Sequence, residues 1–140
     1  PGGTLAPLDF GLHQRVADLI RTLVIDGMVD GVHDLSAGGL GVAVAEMVAR
    51  SGVGAHLARV PDHRALFGEG PSRVLCCVDP ERLTDVLAAA EAVAVPTTRI
   101  GLATGDRLIV KGLLDVAVDD VRHAHEDRLP EALGAGTTNR

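Results

Sequence analysis

Leu12, Val16, Leu19, Ile20, Leu23 and Val24 recur at helical spacing, which predicts one amphipathic helix from Asp9 to Asp26. Gly27 stands where a C-terminal glycine belongs. The apolar run Val29 to Leu35 reads as a first strand. Leu40 to Arg50 is again helical, and Glu46 is its only charge before Arg50, so this helix is predicted to be largely buried and to end at Ser51-Gly52. An unpaired carboxylate in an apolar core is costly, which turns Glu46 toward the preceding turn or a partner domain. Gly54 to Val60 is a weak strand closed by Pro61, and Asp62 to Phe67 is a short turn or helical segment. Val74 to Val78 is unbroken apolar sequence between turn signals, the pattern of a central strand covered on both faces. Asp79 reads as a cap with Pro80 in the first helical position, and Leu83, Val86, Leu87 and Ala90 form the buried stripe of that helix. Thr98 to Ala103 and Arg107 to Val110 flank Thr104-Gly105-Asp106, the signature of a hairpin. Leu114 to Val118 is a last strand, followed by a helix from Asp119 to Leu129.

Four helices interleaved with five or six strands predict an α/β fold, a layered α+β sandwich. Its mixed sheet is flanked by helices, and the hairpin supplies an antiparallel pair. There is no internal repeat and no dividing linker, so residues 1–133 are expected to form a single domain. Residues 134–140 are polar and glycine-rich, the composition of a flexible tail.

Composition narrows the partners. The 140 residues are 46% hydrophobic, enough for a real core, but aromatics are only 1%, so that core must be aliphatic. The lack of a stacking platform and a formal net charge of -6 argue against a nucleic-acid partner. Cys76 and Cys77 are adjacent in an apolar strand, where they point to opposite faces and read as buried free thiols of a reducing compartment. No apolar stretch approaches the roughly 18 residues that span a bilayer, and no charged-then-apolar leader opens the chain. A cytoplasmic domain without a membrane partner is expected. The chain opens Pro1-Gly2-Gly3 without a methionine, as a processed product or a fragment would.

Candidate chemistry gathers in two small-residue turns. The first is His33-Asp34-Leu35-Ser36-Ala37-Gly38-Gly39-Leu40, where a strand runs through a tight turn into a helix N-terminus. Small residues let a ligand approach the backbone, and free N–H groups at a helix start favour an anion. Asp34 suits a hard cation such as Mg²⁺ while the Ser36–Gly39 backbone meets phosphate. The plainer alternative is a strand-to-helix bend permitted by Gly38 and Gly39 and capped by Ser36. The second turn is Phe67-Gly68-Glu69-Gly70-Pro71-Ser72-Arg73. Glu69, Ser72 and Arg73 suit a polar substrate, the guanidinium being fit for bidentate contacts, or else Glu69 and Arg73 simply pair across a loop. Walker A, dinucleotide and nucleophile-elbow patterns are missing, and the six histidines have no spacing that converges on zinc.

These residues, with Val44-Ala45-Glu46-Met47, resemble phosphoribosylformylglycinamidine synthase, specifically the last, PurM-like C-terminal domain of its large synthetase subunit, over about Leu8 to Leu133. The resemblance implies an ATP-dependent C–N ligase of purine biosynthesis. That family activates the amide oxygen of formylglycinamide ribonucleotide with ATP, and ammonia then displaces the phosphate to give the amidine. It implies ATP or ADP and Mg²⁺ as cofactors of the complete enzyme. Partners would be the remaining synthetase domains, a glutaminase subunit that channels ammonia, and a small accessory subunit. Through the internal repeat of that subunit, Asp34 matches a magnesium-binding aspartate and Glu69 a substrate-holding glutamate. His33, Ser36, Gly38, Gly39, Ser72 and Arg73 complete the implied nucleotide- or phosphate-binding set. Here Glu69 is followed by Gly70-Pro71 instead of Ser and Gln, a departure that fits an auxiliary, non-turnover site or an architectural copy better than a substrate site. The family's catalytic histidine lies in other domains, so no catalytic residue is assigned.

Two other readings stay open. One is another enzyme of the same superfamily, such as aminoimidazole ribonucleotide synthetase. The other is a ligand-sensing module without chemistry, in which the glycine-rich turns bind a nucleotide or anion.

Overall fold

The computed structural model describes residues 7–126. Its elements run α1 (Phe10–Ile25), β1 (Gly31–Asp34), α2 (Gly39–Ser51), β2 (Ala55–Leu57), α3 (His63–Phe67), β3 (Val74–Cys77), α4 (Leu83–Ala92), β4 (Gly101–Ala103), β5 (Arg107–Val110), β6 (Leu114–Ala117) and α5 (Val118–Glu126). The predicted tail and the last turn of the final helix lie outside the described residues. Among the described residues the elements group into two compact units: residues 7–43 with Arg64–Arg99, and Val44–His63 with residues 100–126.

In the first unit, α1 starts where Asp9 accepts a hydrogen bond from the Leu12 N–H at 2.9 Å. It ends in a Schellman turn: Gly27, at φ +65°, donates to the Val24 carbonyl and Met28 to that of Leu23. Leu19 and Leu23 of α1 pack with Val86 and Ala90 of α4, and Ile20, Met28, Val29, Val78, Ala89 and Val95 close around them. Arg82, just before α4, reaches back to the Gly27 carbonyl and to Asp30 Oδ1, tying the end of α1 to the approach of β1.

β1 and β3 form an antiparallel ribbon with Gly31 opposite Cys77 and Asp34 opposite Val74. This corrects the central strand expected over Val74–Val78: among the described residues β3 pairs only with β1, and all four of its residues are half-buried. An unbroken apolar run marks partial cover on both faces and says nothing about the number of neighbours. Cys76 and Cys77 are both half-buried and free. Burial and the neighbouring Cys77 push the Cys76 thiol above its ordinary range.

The Pro80 helix start is also corrected. Asp79 Oδ1 accepts from the Glu81 N–H at 2.7 Å and its carbonyl from Arg82, making a turn, and α4 begins three residues later than Pro80. With that start, Val86 and Ala90 face the core while Leu87 remains 39% exposed.

The second unit carries a four-stranded mixed sheet in the order β4-β2-β5-β6. β2 runs antiparallel to β4 and parallel to β5, and β5 runs antiparallel to β6. The hairpin expected across Thr104-Gly105-Asp106 therefore does not form. β2 lies between its two arms, and the backbone of Thr104 and Gly105 bonds to Gly54 at the start of β2. The local signal marks a reversal, and a reversal leaves room for a third strand whose partner is distant in sequence. The hairpin of this sheet is instead β5–β6, turning through Lys111-Gly112-Leu113, with Gly112 at φ +77°. Leu57, Leu108 and Val110 fill the buried side of this sheet, and Val44, Val48 and Ala49 are the buried residues of α2 in the unit. Glu46 is half-buried.

Candidate functional site

Both small-residue turns belong to the first unit, and the β1–β3 ribbon brings them together. Asp34 ends β1 opposite Val74, which starts β3, so one turn leaves the ribbon where the other enters it. The Leu35 N–H donates to the Arg73 carbonyl at 3.0 Å, one step beyond the ladder. The Gly38 N–H then donates to Glu69 Oε1 at 3.0 Å.

The approach is close enough to require glycine. Gly39 sits at φ +59°, and a Cβ there would lie 2.7 Å from the Gly68 carbonyl oxygen. Backbone meets backbone, so neither side can give way. On the second turn, Arg73 Nη1 donates to the Gly68 carbonyl at 3.1 Å. Arg73 thus braces its own loop, while the Glu69 carboxylate turns to the Gly38 N–H.

The remaining candidates divide. The His33 ring donates from Nδ1 to the Asp34 carbonyl at 2.7 Å, because a carbonyl can only accept. Its side chain is 17% exposed, whereas the Asp34 side chain, whose Oδ1 is 3.9 Å from that nitrogen, is 75% exposed. Ser36 acts through its backbone, accepting from the Gly39 N–H at 3.0 Å. Ser72 sits at φ +61°, rare for a residue with a side chain, and its Oγ is 3.0 Å from His13 Nδ1 of α1. Sequence reasoning missed His13. Nothing in the local pattern singles out a contact that reaches from residue 13 to residue 72.

Mg²⁺ is commonly held by one or two carboxylates together with waters and phosphate oxygens, and the exposed carboxylate of Asp34 suits that role. Among the described residues no group of three His, Cys, Asp or Glu converges on a metal. The backbone cradle fits phosphate less well. Gly38 donates to Glu69 and Gly39 to Ser36, so two of the N–H groups expected to face an anion are already satisfied. An incoming phosphate would have to displace the Glu69 carboxylate from Gly38.

A mixed sheet flanked by helices, with a glycine-bearing turn entering α2, gives the chain an α/β architecture. Its sequence matches the family model described as AIR synthase related protein, C-terminal domain, over residues 9–112. The chain belongs to this family. It is 40% identical over 136 residues to the phosphoribosylformylglycinamidine synthase subunit PurL of Methylocella silvestris, covering 95% of this chain and 18% of that protein. The corresponding subunit of Rhodospirillum rubrum is 40% identical over 130 residues, 91% of this chain and 18% of the relative. The chain therefore spans under a fifth of the length of the curated relatives it matches.

Solved structures show the same fold. The structure of PurLQS from Thermotoga maritima superposes with a TM-score of 0.72 at 21% identity, over 85% of this chain and 23% of that one. T. maritima PurL complexed with FGAR gives 0.69 at 19% identity, over 79% and 21%. The α/β architecture expected from the sequence is thus shown, as is the likeness to the synthetase subunit. Among the described residues no helix is long and apolar enough to cross a membrane.

Proposed function

We propose that this chain is the C-terminal PurM-like domain of the synthetase subunit of a phosphoribosylformylglycinamidine synthase. The full enzyme converts formylglycinamide ribonucleotide and glutamine-derived ammonia to formylglycinamidine ribonucleotide at the expense of ATP. In this reading residues 1–133 work as one domain of a larger cytoplasmic protein. Its partners are the other synthetase domains, a glutaminase subunit and a small accessory subunit. The observation that carries the reading is the 40% identity to a PurL subunit across 95% of the chain.

The domain contributes structure and no turnover of its own. The closed pair of turns supports this, because Glu69 occupies the Gly38 N–H where a substrate or phosphate oxygen would otherwise sit. A second reading, an auxiliary nucleotide site, is favoured by the exposed Asp34 carboxylate. There Asp34 would hold Mg²⁺ of bound ATP or ADP, with His33, Ser36, Gly38, Gly39, Glu69, Ser72 and Arg73 around the phosphates. Calorimetry with ADP and Mg²⁺ on the chain and on Asp34→Ala separates the two. Heat lost in the variant supports the nucleotide site, and absent heat in both supports the architectural role.

The enzymatic reading is tested with the full-length gene product and its glutaminase. Amidine formation from formylglycinamide ribonucleotide, lost when this domain is deleted, is the expected result. Ring closure of the amidine instead would assign the protein to aminoimidazole ribonucleotide synthetase. No ATP-dependent chemistry in the full product would favour a binding module.

A further inference from the structure

We draw no further inference here: the strongest candidate, the N-terminal end of α2 framed by the 67–73 turn, belongs to the site already described and rests on a helix N-terminus with no independent sign of a ligand.

Discussion

Glu69 Oε1 accepts a hydrogen bond from the Gly38 backbone N–H at 3.0 Å, joining two turns that lie 31 residues apart in the chain. The carboxylate sits at the entrance to α2, where the helix dipole favours negative charge. A side chain of this domain therefore does there what a bound anion does in other folds.

Removing that contact has a graded cost. Glu69→Ala is expected to lower unfolding free energy by about 1 kcal/mol, the usual loss for a helix-capping side chain. Glu69→Gln keeps an acceptor and loses the charge, so it should fall between Ala and wild type. Urea unfolding of the three proteins at one pH checks the order.

Two glycines with similar φ should respond differently to alanine. Gly27→Ala meets nothing within 4 Å at φ +65°, so it carries only the left-handed penalty of about 1–2 kcal/mol. Gly39→Ala adds a 2.7 Å clash with the Gly68 carbonyl and must push the turns apart. Gly39→Ala is expected to be the more damaging, and to speed hydrogen exchange at Gly38 where Gly27→Ala does not.

The α1–α4 core makes a third expectation. Leu23→Ala leaves a cavity against Val86 and Ala90 and should destabilise by about 2–5 kcal/mol. Leu87→Ala on the same α4, at a position 39% exposed, should change stability less. Thermal melts of both variants test whether the stripe of α4 is the one observed.

Cys76 gives a pH dependence. Desolvation, with the neighbouring Cys77, raises its folded-state pKa above the ordinary 9.0. Below that pH the thiol is neutral in both states and costs nothing. As pH rises through 9.0 the unfolded chain ionises first, so stability falls until the folded pKa is passed. Stability measured from pH 8 to pH 10 should decline more steeply in wild type than in Cys76→Ala. Alkylation of Cys76 should likewise be slower in the folded than in the unfolded protein.

Much of this arrangement was legible in the residues. Periodicity located α1 and α2 to within a few residues, because both carry strong apolar stripes and clear end signals such as Gly27 and Gly52. Pairing was less legible. Which strand lies beside β5 depends on β2, some fifty positions earlier in the chain, and the Thr104–Asp106 reversal carries no trace of it. Both turns stand out in the sequence by their small residues, and the structure brings them together. That Glu69 bonds to Gly38 and Arg73 to its own loop was not readable, since it depends on the register of β1 against β3.

The proposal that this chain is one domain of a larger ligase is tested most directly by the mass of the native gene product. Intact-protein mass spectrometry on the endogenous product should find these residues inside a polypeptide several times heavier than 14.5 kDa, since the matched region is 18% of its relatives. A stable endogenous product of about 14.5 kDa, folded and unaccompanied by other synthetase domains, would contradict it.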